Sequence, residues 1–555
     1  MSTDITKGTP STSYNGGWRT SSAWLHTWSG LTLGWILYFV FVTGTVGYFD
    51  TEIDRWMQPE LPRSQTGTST DEAANAILNF AQANAPGADQ WLMSLPASRN
   101  QPFGSLYWRG ASIESGAVSA SGNTLIDLNN ITALNARETG GGQLLYQMHW
   151  RFPYMTRTYS DWIISIATFF MFVAIISGII THKRIFKDFF TFRPGKGQRS
   201  WLDAHNVLSV VALPFHLMIT YSGLLFMGFS FMPLVFAAYY GNDNGARGQF
   251  YSEVFDPPGM VAAAGVAAPL TDLGAVIEEA ESVWGENRIA TIDIRNPGDS
   301  QARIFISENF DQTVAAGAGR LVFDGTSGEL LHNAPSASSP AKAVRDVSLG
   351  LHEGLFATTL LRWLYFFAGV VGTAMVGTGL VMWTVKRRQQ ASSEIDKKHR
   401  GIRLVEKLNV GTVAGLFVAL AAYFWANRLL PASMPGRADW EVHTMFLTWA
   451  LMLMLSAVIP ARLGWPLQFR LGGFAFVLLP VVNMATTERG LIHSLATGDW
   501  VFAGFDLTAL LCGALLFWIA QRATQVMNKH QKQRAPQTGS TSPIPSEHPV
   551  EGARQ

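Results

Sequence analysis

The chain has 555 residues, of which 48% are hydrophobic and only 15% are charged, and its formal net charge is +1. This composition is typical of a membrane protein with several spans and some soluble segments, and the near-neutral charge gives no reason to expect nucleic acid as a partner. The single cysteine, Cys512, excludes intrachain disulfides, four-cysteine iron–sulfur clusters and covalent attachment of c-type haem. Histidine is then the expected protein ligand for any metal.

Eight apolar runs are long enough to cross a bilayer, which takes roughly 20 residues each. In chain order they cover residues 23–49, 160–182, 203–232, 361–385, 407–426, 442–460, 469–487 and 501–522. The seventh run carries the weakest signal, because Pro480 and Asn483 interrupt it.

The charges of the connections predict which side each end faces. "HKRIFKDFFTFRPGKGQR" and "VKRRQQASSEIDKKHRGIR" follow the second and fourth runs, and short basic connections of this kind stay in the cytoplasm. Eight crossings then place the N-terminus (1–22), the basic loop 386–406 and the tail 523–555 in the cytoplasm. The tail is poor in apolar residues, so we expect it to be disordered. In a bacterium with two membranes, the chain is expected in the inner one.

Two long segments, 50–159 and 233–355, remain on the periplasmic side. Each has a helix-like stretch followed by strand-like stretches: "TDEAANAILNFAQANA" precedes "GSLYWRG", and "LTDLGAVIEEAESVW" precedes "IATIDIRNP". This repeated order predicts two α+β modules and an internal duplication. The predicted fold is an α-helical polytopic membrane protein of about eight spans, with the two modules inserted around spans 2–3 (160–232) and four additional spans at 407–522.

Histidines in or beside the spans are the candidate functional residues, since ionisable groups inside a bilayer are costly and rare. The third run contains His205 and His216. On a straight helix these positions point within about 20° of one another and differ in depth by about 16 Å. His26 opens the first run at the depth of His205, while His149 and His352 precede the second and fourth runs.

Several motifs around these histidines match a known family as an ordered set. They are "LHTWSGL", "YQMHWRFPY", "DAHNVLSVVALPFHLMITYSGL" and "LHEGLF", together with the turn "FDGTSGELL". The chain resembles the PepSY-associated transmembrane proteins, including iron-uptake and siderophore-reductase members, over residues of about 20–390. The resemblance implies two periplasmic PepSY-like modules, b-type haem bound by histidines, and electron transfer to a ferric siderophore in the periplasm. The four spans at 407–522 lie outside it.

The five histidines allow more than one pairing. His26 and His205 share a depth and could ligate one haem, although interfacial histidines hydrogen-bonded among tryptophans would give the same pattern. Any two of His149, His216 and His352 could ligate a second haem, and the resemblance favours His149 with His352. The alternative for His216 is a core histidine bonded to a hydroxyl such as that of Tyr221. Arginines at the outer rim, Arg151, Arg157 and Arg362, could pair with haem propionates.

No glycine-rich nicotinamide or flavin fingerprint opens a strand–helix unit, so the expected electron donor is a quinol or another protein. Two other functions compete with electron transfer: a binding or regulatory role for the modules, and transport of the siderophore or of iron. Intramembrane histidines argue against a passive anchor, and the shortage of acidic residues in the spans argues against a transporter. The glycines of "SGL", "SGII" and "SGLL" are interpreted as sites of close helix packing.

Overall fold

The computed structural model describes residues 17–110, 121–181, 192–228, 233–241, 245–246, 249, 260–335, 340–390 and 397–534. The α-helices within these ranges are α1 (Trp18–Gly47), α2 (Asp50–Met57), α3 (Thr70–Asn84), α4 (Gly141–Gln147), α5 (Arg157–Thr181), α6 (Gln198–Val211), α7 (Leu213–Phe226), α8 (Pro233–Tyr240), α9 (Leu273–Trp284), α10 (Pro340–Glu353), α11 (Thr359–Gln390), α12 (Lys397–Asn409), α13 (Gly415–Leu429), α14 (Arg437–Val458), α15 (Ala461–Thr486), α16 (Leu491–Thr497) and α17 (Trp500–Arg534). The strands are β1 (Ala88–Ser94), β2 (Gly104–Gly110), β3 (Gly122–Asp127), β4 (Thr132–Ala133), β5 (Ile289–Arg295), β6 (Arg303–Glu308), β7 (Arg320–Asp324) and β8 (Leu330–Ala334).

Seven helices in the described ranges are long and apolar enough to cross a membrane, and α6 with α7 can form one more span. A π-helical turn, Val410–Ala414, joins α12 to α13, so this span is continuous. The predicted polytopic helical fold is therefore confirmed. The seventh predicted run is also one continuous helix, since α15 passes through Pro480 without a break. The buried Asn483 amide within it is satisfied, because it donates to Asp506 and to the Arg489 carbonyl.

The third span is bent by 69° between α6 and α7. Pro214 lies in the first turn of α7, where it has no N–H to continue the hydrogen bonds of the preceding turn. The prediction that His205 and His216 share one face of a straight helix is therefore wrong. The two histidines belong to different helices, so the angle between their side chains cannot be calculated from the number of residues that separates them.

The spanning helices form two bundles. In the first bundle, α1 packs against α5 and α11, α6 packs against α11, and α7 packs against α5 and α10. In the second bundle, α13 packs against α14 and α15, and α15 packs against α17. A single hydrophobic core runs through α1 and the second bundle, and the Tyr38 hydroxyl of α1 donates to the Val413 carbonyl at 3.2 Å. The four additional spans are therefore an integral part of the molecule.

All eight strands form one antiparallel sheet, in the order β4-β3-β2-β1-β5-β6-β7-β8. Each predicted module contributes four strands, and β1 pairs with β5 where the modules meet. The helices α3 and α9 pack against each other, and the side chains of Ser69 and Asp272 cap their N-termini. The two modules thus share one sheet and one hydrophobic core. The sequence indicated the duplication but not this pairing.

Candidate functional site

Two histidines meet at the end of the first bundle that faces the sheet. His149 follows α4 and His352 lies near the end of α10, and their ring centres are 6.0 Å apart with 53° between the ring planes. The Nδ1 atom of His149 lies 2.7 Å from the Val40 carbonyl oxygen, and Nδ1 of His352 lies 2.8 Å from the Ser222 hydroxyl. Because a carbonyl only accepts, Nδ1 of His149 carries the proton, which leaves Nε2 as the nitrogen that could accept a metal ion. We call His149 and His352 the sheet-side pair.

A second pair has the same arrangement at the opposite end of the bundle. The ring centres of His26 and His205 are 6.3 Å apart, with 69° between the ring planes. Nδ1 of His26 donates to the Ala174 carbonyl at 2.8 Å, and Nδ1 of His205 donates to the Met375 carbonyl at 3.0 Å. These bonds use main-chain carbonyls, whereas the alternative from the sequence was a set of bonds among tryptophans. We call His26 and His205 the far pair.

Both separations suit a metal ion held between two imidazoles. A metal–imidazole bond is about 2 Å long and the ring centre lies about 1 Å beyond the nitrogen, so opposed ligands place their ring centres about 6 Å apart. Metal-bound histidines also commonly donate their second ring N–H to a carbonyl or another oxygen, which fixes the ring orientation. The donor set and the spacing at each pair therefore fit two imidazoles that would hold one metal ion.

A cavity of about 860 Å³ adjoins the sheet-side pair. Its volume is within the roughly 300–1,000 Å³ range of small-molecule and cofactor sites. Apolar side chains of α1, α5 and α7 form most of the wall, and Arg157 and Arg345 lie at the rim. A Cβ atom on Gly44 of α1 would overlap the Nδ1 atom of His149. Glycine is therefore required there for the ring to reach its present position.

His216 is separate from both pairs. Its side chain is only 1% exposed and packs between the rings of Phe41 and Phe215, at 6.1 and 6.0 Å between ring centres. Neither ring nitrogen has a hydrogen bond of good geometry to a described residue, although the Ala368 carbonyl lies beside the ring, so the alternative bond to Tyr221 is not formed. The described residues that line the large cavity do not include His216.

The three arginines suggested by the sequence occupy different environments. Arg157 lies at the rim of the large cavity. Arg362 instead forms an ion pair with Glu52 at 3.1 Å and donates to the Ala357 carbonyl. Arg151 is not among the described residues that line the cavity. Arg345 of α10, which sequence reasoning missed, stands at the same rim as Arg157, and only the folded position of α10 reveals it.

A smaller cavity of about 440 Å³ lies beside α2, and Leu125 of β3, Tyr146 of α4 and Glu353 of α10 also line it. It shares Tyr48, Tyr146 and Glu353 with the wall of the large cavity. Burial, reinforced by the neighbouring carboxylate of Asp50, raises the pKa of Asp54 in this smaller cavity to about 7. Polar groups thus connect the sheet-side pair with the region under the sheet.

The comparison with protein families agrees with this architecture. A family model described as the PepSY-associated TM region matches residues 23–386. The matched residues contain all five histidines and both sets of strands, and they end before the second bundle. A search of curated proteins finds no match. Because the family model covers well over half of the sequence, the chain belongs to the PepSY-associated transmembrane family.

Proposed function

We propose that the protein transfers electrons across the bacterial inner membrane through two b-type haems and reduces a ferric siderophore in the periplasm. One observation carries this proposal above the others. Two histidine pairs stand at opposite ends of one helix bundle, and each has the ring separation that a bound metal ion requires. A binding module anchored in the membrane has no need for either pair.

Each histidine pair has a defined role in the proposal. His149 and His352 hold one haem, and His26 and His205 hold the other. Bound haem would supply reversible one-electron chemistry. The residues of α1 that contact His149, Val40 and Gly44, lie roughly 21 and 27 Å along the helix axis from His26, since each residue of a helix rises 1.5 Å. Two centres in series would therefore span a hydrocarbon layer of about 30 Å that one centre would not.

The charges of the chain support the proposed orientation. In the proposed orientation the basic connections lie in the cytoplasm, and the sheet and the sheet-side pair lie in or next to the periplasm. A quinol or a protein donor would then deliver electrons at the far pair. Arg157 and Arg345 line the large cavity, where each has an acidic neighbour, Asp161 or Asp346, and could also pair with the propionates of the periplasmic haem.

Ferric siderophore is the proposed electron acceptor. Hard oxygen ligands hold iron(III) much more strongly than iron(II), so transfer of one electron to the chelated iron weakens the complex and releases the metal. The reaction consumes one electron per iron and needs no acid or base from the protein. A docking surface next to the sheet-side pair is sufficient.

The test begins with protein purified in detergent from haem-replete cells. Oxidised and dithionite-reduced spectra and a pyridine haemochrome assay should show b-type haem at about two per chain. Replacing His149 or His352 with Ala should remove one centre, and replacing His26 or His205 should remove the other. The reduced protein should then be reoxidised by a ferric siderophore, with formation of iron(II). A colourless protein would contradict the proposal, and haem that no ferric chelate reoxidises would contradict the acceptor.

A further inference from the structure

The four paired histidines all contact neighbouring helices in the same way. Each ring meets a main-chain carbonyl, and four residues later the same helix has a glycine against the ring. The residue just before the glycine is Ser or Thr in every case. Each set consists of the carbonyl residue, the hydroxyl residue and the glycine. The sets are Val40, Thr43 and Gly44 at His149; Ala174, Ser177 and Gly178 at His26; Ile219, Ser222 and Gly223 at His352; and Met375, Thr378 and Gly379 at His205.

Helix geometry explains why a glycine occurs at this spacing. Residues four apart lie on the same face of a helix, so a ring that reaches a carbonyl at position i lies over the residue at i+4. Any Cβ there points toward the ring. The glycines leave this space open, although close helix packing alone was the interpretation from the sequence.

The hydroxyl at position i+3 bonds to the helix that carries it. Thr378 donates to the Met375 carbonyl at 2.9 Å, and Ser177 donates to the Ala174 carbonyl at 3.2 Å. Thr43 and Ser222 make the corresponding bonds at 3.3 Å. At His149, His26 and His205 the same carbonyl therefore serves both the hydroxyl and the histidine, whereas at His352 the Ser222 hydroxyl itself lies 2.8 Å from Nδ1. Because the hydroxyl folds back on its own backbone, it adds little bulk to the surface on which the ring lies.

We propose that these four hydroxyl–glycine pairs, which we call histidine seats, are positioning elements that orient the haem ligands. This inference rests on the proposed function. It also separates ligands from His216, which has a carbonyl and a glycine at the same spacing, Ala368 and Gly372, but Val371 at the position of the hydroxyl residue. At Gly372 the nitrogen of His216 that faces the glycine is Nε2, which lies 3.0 Å from an added Cβ. At Gly44, Gly178 and Gly379 the histidine nitrogen among the nearest atoms is Nδ1.

The four histidine seats differ in the space between the glycine and the histidine ring, and this space predicts how strongly an alanine there disturbs the ring. A Cβ on Gly44 would overlap His149, so the ring must move. On Gly178 or Gly379 it would lie 3.3 Å from the His26 or His205 ring, which requires a small shift. On Gly223 it would lie 3.5 Å from His352, an ordinary van der Waals contact. The effect of alanine on the bound haem should follow this order.

The decisive variant is Gly44→Ala, with Gly504→Ala as its control. Gly504 lies within α17 of the second bundle, away from both histidine pairs, and an added Cβ there would meet nothing within 4 Å. G44A should lower the haem content from about two to about one per chain, with the electron paramagnetic resonance (EPR) signal of the far centre unchanged. G504A should retain both haems. A G44A protein with two haems and unchanged signals would overturn the inference.

Two further variants decide the question even if G44A does not fold. Gly379→Ala should keep both haems but shift the low-spin EPR signal of the far centre, because that signal depends on imidazole orientation. Gly223→Ala should leave both signals as they are. An unchanged signal in G379A, or a larger change of signal in G223A than in G379A, would overturn the inference. A wild-type protein without haem would instead refute the proposed function itself.

Discussion

The carboxylate of Glu441 accepts a hydrogen bond of 2.6 Å from the hydroxyl of Thr139, which joins the second bundle to the segment that leads to His149. The Gly140 N–H donates to the same carboxylate at 3.1 Å, and the Tyr423 hydroxyl donates to the Gly141 carbonyl at 2.9 Å. The helix α4 begins at this point, and His149 follows two residues after it ends. Spans outside the matched family region therefore fix a histidine inside it.

Glu441→Gln should disturb the sheet-side pair. The side chains of Glu441 and Arg437 are fully buried as an ion pair, and loss of one partner leaves an uncompensated charge that costs about 3–5 kcal/mol. We expect a lower midpoint of thermal unfolding and a changed EPR signal for the sheet-side centre, with the far centre unchanged. Ser456→Ala is the control, because the Ser456 hydroxyl contacts only residues of the second bundle. Equal changes at both centres would contradict this role.

Ser222→Ala should change the redox potential of the sheet-side centre without loss of haem. The Ser222 hydroxyl lies 2.8 Å from Nδ1 of His352, and a hydrogen bond at that nitrogen makes the imidazole a more basic ligand that favours ferric iron. Its loss should raise the potential by on the order of 40 mV, which corresponds to about 1 kcal/mol for one electron. Potentiometric titration measures the shift. Ser165→Ala is the control, since that buried hydroxyl has no hydrogen-bond partner among the described residues.

His216→Leu should leave two haems per chain and should not lower stability. The imidazole is buried without a hydrogen bond of good geometry to the described residues, and an unsatisfied buried polar group costs about 1–3 kcal/mol. An apolar side chain of similar size removes that cost, so the thermal midpoint should stay or rise. The haemochrome assay and a melting curve test this. Loss of one haem would make His216 a ligand.

Asp324→Asn should destabilise the sheet in a pH-dependent way. Burial alone would raise the pKa of Asp324, but bonds from Thr326 and Ser327 and the charge of Arg303 outweigh it and hold the pKa at about 2. The ordinary pKa is 3.8, so the carboxylate stabilises the fold fully above about pH 4, and this stability is lost as the pH falls toward 2.

At pH 7 the Asp324→Asn variant should lose about 1–3 kcal/mol of unfolding free energy, and its difference from the wild type should shrink near pH 3. Thermal unfolding of the full chain followed by circular dichroism gives both values. Asp89→Asn is the control, because the Asp89 carboxylate accepts no hydrogen bond from the described residues. A constant difference across this pH range would show that Asp324 is not the titrating group.

Local sequence was sufficient for the spans and for the modules, because hydrophobic length and periodicity depend on neighbouring residues. It also identified the histidines, since an ionisable group in an apolar run is conspicuous without any knowledge of its contacts. It was not sufficient for the third span, where Pro214 introduces a bend that separates His205 from His216. The rotation expected from eleven residues of straight helix does not apply across that break.

Tertiary structure decided the relationships between segments that are distant in the chain. His149 reaches His352, β1 pairs with β5, and Glu441 holds the segment before α4 only after the chain has folded. The glycines show the same limit: Gly44 and Gly30 each follow a small hydroxyl residue in α1, yet only Gly44 has a histidine against it. Sequence by itself determined which segments can span and which residues are candidates for binding, because those properties are local. Which of them meet depends on packing between helices, and no local pattern contains that information.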